Sequence, residues 1–203
     1  MSHSLLRSIQ GKNGATYDSE DWMERLSQIG CVVEGSDKES IEIEVFPDRP
    51  DLLSHETMAR AARAFLDLDS QKPTIETKDS GIALEVDSSL GTVRPVIMGA
   101  IVRGVNNGDT DEEKDQFIQS LMDHQEKLHL SLGRKRRFSS IGVHDLSTLS
   151  PPFRVVTVPG THSFIPLAME KNMSIDEILS EHPKGVEYAH LMGNMDAYPV
   201  ILD

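Results

Sequence analysis

QEKLHLSLGRKRRFSSIGVHDL, residues 125–146, is the stretch on which the reading of this chain turns. The protein carries 33 acidic against 20 basic residues, yet four bases stand together here, Arg134, Lys135, Arg136 and Arg137. Upstream, Asp111 to about Leu132 predicts a helix whose early carboxylates suit the positive end of its dipole. The basic run follows Gly133, beside the negative end, where the same dipole favours cations. Phe138 to Val143 predicts a strand leading into His144-Asp145. Helix, basic turn, strand and His-Asp is therefore the expected local order, with His129 just before the turn.

Working outward, Asp18-Ser19 offer capping oxygens to a helix containing Trp22, Met23, Leu26 and Ile29, and Gly30 stands where a C-terminal cap belongs. Residues 4–10 predict a short helix before it. Residues 40–46 alternate apolar and charged positions, the pattern of a strand with one wet face. After the turn Asp48-Arg49-Pro50-Asp51, LLSHETMARAARAFL is rich in helix formers, with Ser54 and Thr57 spaced as an imperfect capping box. The polar stretch from Asp67 to Gly81 predicts a linker. Beyond it come strands at 82–86, at Arg94–Val105 (buried on both faces) and at Phe153–Val158, a helix capped by Ser174, and an apolar run at Tyr198–Leu202.

The formal net charge is -13. Residues 1–90 hold 18 acids and 9 bases, the remainder 15 and 11, so the second half repels phosphate less. That balance excludes bulk non-specific nucleic-acid binding but leaves room for a local basic site. No apolar run approaches the roughly 20 residues of a membrane span, so no membrane partner is expected. The single Cys31 fits a reducing compartment, and cytoplasm is the expected location.

Several chemistries fail on spacing. His124 and His129 lie five positions apart, about 140° around a helix, whereas a helical zinc pair needs i and i+4. No metal is therefore expected. Ser139, Ser140, His144 and Asp145 cluster without a nucleophile elbow, and no phosphate-binding glycine loop occurs. The basic run has two readings, a solvated turn or a phosphate contact. The planar fork of arginine suits phosphate oxygens, and a cluster of like charges repels itself when no anion is present. Asp48, Arg49, Pro50 and Asp51 read as a structural turn in which Arg49 can pair with Asp51.

These segments resemble, in order, the beta subunit of phenylalanyl-tRNA synthetase in its archaeal and eukaryotic form. VFPDRPDLLSHETMARAARAFL resembles the family's NRPDLLS-plus-helix signature, with Asp48 in place of asparagine. VRPVIMGAIVRGV is similar to its RPxVxxAVxR segment. IQSLMDHQEKLHLSLGRKRRFSSIGVHDLSTLSPPF resembles its LQEKLHxxxxRKRxxxxIGxHDLxxxxPPF block, and FIPLAMEKNMSIDEILSEHPKGVEYAHLM and YPVILD follow in order. The resemblance implies an α+β fold, a small B1-like α/β unit over residues 1–85 with a linker from about 67, then a mixed-sheet B3/B4 editing domain over 86–203. It implies a fragment, because the family's first strand is replaced by MSH and its PPxxNG segment would follow Asp203.

By the same resemblance the parent enzyme joins phenylalanine to tRNA(Phe) and hydrolyses mischarged Tyr-tRNA(Phe). A pocket built for phenylalanine rejects an added hydroxyl poorly, so a second, hydrolytic site is useful. The implied partners are tRNA(Phe) and an alpha subunit, in an α2β2 assembly. The parent uses ATP and magnesium, and no cofactor is expected on this fragment, which alone should not edit. His129, Arg134, Lys135, Arg136, Arg137, His144 and Asp145 are implied to face or support the tRNA 3′ end; no catalytic group is assigned. Two other readings stand beside this one: a freestanding trans-editing deacylase, and a non-catalytic RNA-binding or assembly module.

Overall fold

The computed structural model describes residues 1–66, 74–193 and 195–203, so the expected linker lies partly outside the described residues. The chain is α+β and groups into two compact units, residues 1–75 with 105–141, and residues 76–104 with 142–203.

The first unit opens with α1 (His3–Lys12), capped by Ser2, and α2 (Ser19–Arg25), capped by Asp18. A short 3-10 turn follows and closes at Gly30, whose φ of 79° is left-handed and costs glycine nothing. β1 (Cys31–Ser36) and β2 (Ile41–Val45) form an antiparallel pair. β2 buries Ile41 and exposes Glu42 and Glu44, the alternation its sequence shows. In α3 (His55–Leu66) the cap is reciprocal, because Ser54 and Thr57 each accept the other's backbone N–H, at 3.2 and 3.3 Å. Leu6, Trp22, Leu26, Cys31, Ile41 and Met58 close the core from these six elements. Buried Gln10 is satisfied by donating to Ala59 O at 3.2 Å and accepting from Arg63 at 2.6 Å, which removes the cost of an unpaired buried amide.

Between β2 and α3, Arg49 donates to both Asp51 oxygens at 2.9 Å and to Ile29 O at 3.0 Å. The turn is thereby tied to the end of the preceding 3-10 segment. The Arg49 hydrogen bonds hold the Asp51 carboxyl below its ordinary value. A depressed folded pKa contributes stability above the ordinary carboxylate range and loses it as pH falls through the folded value. Asp51→Asn should therefore be less stable than the parent chain at pH 7, by less than about 1 kcal/mol for so exposed a pair. Urea unfolding should show that gap closing below about pH 4, and a gap that persists at pH 2 would refute this account.

α4 (Asp111–Leu130) belongs to the first unit. Ser120 donates to Glu56 at 3.0 Å, and Lys127 donates to Leu53 O at 3.2 Å. These bonds explain why residues 105–141 group with the amino-terminal segment instead of with everything beyond residue 85.

In the second unit β3 (Leu84–Val86) lies parallel to β4 (Phe153–Val158). Two short paired strands follow, β5 (Ser163–Phe164) and β6 (Met173–Ser174). α5 (Ile175–Glu181) starts in a capping box of Ser174 and Glu177, and α6 (Pro183–Met192) is capped by His182. β7 (Tyr198–Leu202) joins β4 antiparallel and completes a mixed sheet in the order β3-β4-β7. The terminal apolar run thus has its sheet partner.

Two expected strands are corrected. Arg94–Val105 and Phe138–Val143 are not strands, and their apolar side chains are open, Met98 at 89% and Phe138 at 73%. A strand satisfies its backbone only on a neighbour, and neither segment pairs with one among the described residues.

Candidate nucleic-acid interface

α4 begins at a capping box, Thr110 with Glu113, and carries Asp111, Glu112 and Glu113 in its first turn. Its other end is where the chain does something unusual. A side chain at Gly133 would meet His129 O and Ser139 O, both at 2.6 Å, so the backbone passes where only glycine fits. Arg134, Lys135 and Arg136 then take φ of 49°, 57° and 64°, three non-glycine residues in the left-handed region. Each costs about 1 kcal/mol there, from the contact of Cβ with the carbonyl.

Hydrogen bonds offset part of that cost. The N–H groups of Arg134, Lys135 and Arg136 donate to Ser131, Leu130 and His129 carbonyls at 3.1, 3.4 and 3.2 Å. They occupy carbonyls that the end of a helix otherwise leaves unpaired. Phe138 N–H closes the turn on Gly133 O at 3.0 Å.

His129 pins this turn from inside. It is 2% exposed. Its Nε2 lies 2.8 Å from Ile141 N and 3.1 Å from Ile141 O. One ring nitrogen cannot accept from the first and donate to the second. The shorter contact is to an obligate donor, so Nε2 accepts and the proton sits on Nδ1, which donates to Glu126 at 3.3 Å. Glu126 also binds the Arg136 guanidinium. His129 therefore supports the turn and does not face solvent.

Above this support stand the cations. Arg136 is held by Glu126, whereas Arg134, Lys135 and Arg137 have no carboxylate partner among the described residues. Arg134 instead lies over the exposed Phe138 ring, 5.4 Å from its centroid. Three exposed cations without acids, in a chain of net charge -13, form a local anion-seeking surface.

His144 and Asp145 belong to the second unit, so the structure divides the expected site residues between two units. Both are exposed. Asp145 caps the short turn Leu146–Thr148, accepting from Ser147 N at 2.9 Å and Ser147 Oγ at 2.8 Å. Those bonds hold its carboxyl below the ordinary range and occupy it structurally. Among the described residues no three His, Cys, Asp or Glu side chains are placed to hold a metal ion. A depression of about 390 Å³ beside β2, lined by Met1, Ile41, Glu42, Ile43, Val45 and Lys127 among others, contains none of the candidates.

Glu126, Gly133 and Phe138 were not singled out by the sequence. Glu126 was findable, three positions before His129 on a helix and so on the same face. The roles of Gly133 and Phe138 depend on the path of the turn.

No family model matches the chain. Curated proteins do. A phenylalanine–tRNA ligase beta subunit of Methanosarcina barkeri is 45% identical over 186 residues, covering 92% of this chain and 33% of that protein. Those of Methanococcoides burtonii and Archaeoglobus fulgidus are 42% and 39% identical over the same length. The chain belongs to the family of phenylalanine–tRNA ligase beta subunits. It spans about a third of the length of these relatives. A solved structure agrees, the crystal structure of an N-terminal fragment of the phenylalanyl-tRNA synthetase beta subunit from Pyrococcus horikoshii. It superposes with a TM-score of 0.82 at 28% identity, over 100% of this chain and 57% of that one.

Proposed function

We propose that this part of the beta subunit meets tRNA(Phe), with Arg134, Lys135 and Arg137 contacting phosphates near the 3′ end. The observation that carries the reading is the absence of carboxylate partners for these three cations among the described residues of so acidic a chain. A turn built only for solubility would pair or disperse its charges, and its backbone would not need three left-handed residues. In this reading Glu126 and His129 hold the turn in shape, and Arg136 is part of that support.

The whole enzyme, in the same proposal, joins phenylalanine to tRNA(Phe) together with an alpha subunit and hydrolyses Tyr-tRNA(Phe). In the same proposal ATP and magnesium serve the whole enzyme, and aminoacyl activation lies with the alpha subunit. His144 and Asp145 contribute orientation and charge in the second unit. Asp145 is committed to Ser147, and the one carboxylate that His129 contacts, Glu126, shares its oxygen with Arg136. Neither arrangement offers a poised base, which favours RNA binding without turnover for this chain by itself.

The test is tRNA(Phe) binding by fluorescence anisotropy at several salt concentrations. Substituting Arg134, Lys135 and Arg137 together by Ala should weaken binding by at least about tenfold and flatten the salt dependence by up to about three phosphate contacts. A Tyr-tRNA(Phe) hydrolysis assay on the parent chain should stay at the buffer rate. Unchanged affinity in the triple variant would return the basic run to a solvated turn.

A further inference from the structure

We infer that Phe138 is a base-stacking residue for unpaired nucleotides at the RNA end held by the basic turn. The inference rests on the tRNA reading above and adds to it a contact to the bases, where the cations supply contacts only to phosphate.

Phe138 follows the four bases directly and is 73% exposed. A lone exposed apolar residue is ordinary and needs no explanation. This ring differs in its surroundings. Its backbone is fixed by the bond from Phe138 N–H to Gly133 O at 3.0 Å, so the side chain projects from the closed turn itself. The Arg134 guanidinium sits 5.4 Å from the ring centroid, and most of the ring's surface is left open to a second planar group. An exposed aromatic beside a row of cations without acid partners combines the two elements that single-stranded nucleic acids use: backbone attraction, and a flat apolar surface that any base can stack on. A duplex keeps its bases stacked inside, so the ligand this geometry fits is a single-stranded end. A protein partner is disfavoured, because three cations close together match phosphate spacing better than the charge-poor centre of a packed interface.

The experiment uses the 203-residue chain and two labelled probes: a single-stranded RNA of about 12 nucleotides ending in CCA, and the same oligomer with abasic sites at its last three positions. Phe138→Ala should weaken the first probe by about tenfold. It should leave the second unchanged, along with the slope of affinity against salt. Phe138→Trp should bind the first probe at least as well as the parent. The side chain is exposed, so these variants fold, as circular dichroism would confirm.

If Phe138→Ala binds the base-bearing RNA like the parent while the triple cation variant is weakened, the stacking inference fails and the tRNA reading stands. If Phe138→Ala weakens both probes equally, the ring serves only to hold Arg134, and the inference fails again. If the parent chain binds neither probe nor tRNA(Phe), both readings fall.

Discussion

A His129→Ala variant is expected to lose about 3 kcal/mol of stability in the first unit. Two contributions add. The imidazole is 2% exposed, so its removal leaves a cavity in the seam between α4 and the returning chain. The same change strips Ile141 N–H of its acceptor, and losing that part-buried bond costs about 1 kcal/mol. His129→Gln separates the two, because its amide oxygen can accept the Ile141 bond and should recover part of the loss. The single tryptophan, Trp22, is buried in this unit and reports its unfolding in urea by fluorescence. The variant should also bind tRNA(Phe) more weakly, since the left-handed turn is held partly by the segment that His129 pins. A stability loss under about 0.5 kcal/mol would show that the histidine is not the pin described.

Gly185→Ala is expected to act as strongly on the second unit. A methyl group there would sit 1.8 Å from Ile178 O and 2.6 Å from Ile178 C, which are backbone atoms that cannot rotate away. α5 and α6 must therefore separate, at a cost of about 3 kcal/mol, the upper range for an overpacked site. Tyr188 and Tyr198 lie in this unit and report the change through near-ultraviolet circular dichroism during thermal unfolding. A melting temperature within about 2 °C of the parent would contradict the close approach. Gly11 makes the contrast: nothing lies within 4 Å of a methyl group added there. The same substitution at this exposed position of α1 should be neutral or slightly stabilising, because helical alanine loses less backbone freedom than glycine.

The local elements were legible wherever their bonds close locally. Asp18, Ser54 and Ser174 each mark a helix start, because a side-chain oxygen reaches backbone N–H groups only two or three residues away. β2, β4 and β7 fall where alternation or apolar content placed them, and each has a neighbour that completes its ladder. The family could be read from the chain alone, since the block from Ile118 to Phe153 carries many matching positions at fixed spacing.

The candidate site was legible as residue types and not as an arrangement. Arg134 to Arg137 stand out in any acidic chain, but their charges say nothing of a left-handed backbone, which depends on Gly133 passing between the carbonyls of His129 and Ser139. Sequence leaves open whether His129 faces the site or supports it; the fold makes it a buried support, because burial depends on what folds over it, here Ile141 twelve residues later. Arg94–Val105 and Phe138–Val143 have strand composition without strand structure. A helix satisfies its hydrogen bonds from its own turns, so sequence by itself determined where α1 to α5 start, while α6, which opens at His182, was not read from it. A strand takes its partner from a distant segment, the buried histidine from the chain that folds over it, and the left-handed turn from the return of Ser139 past Gly133, so only the tertiary structure decided them.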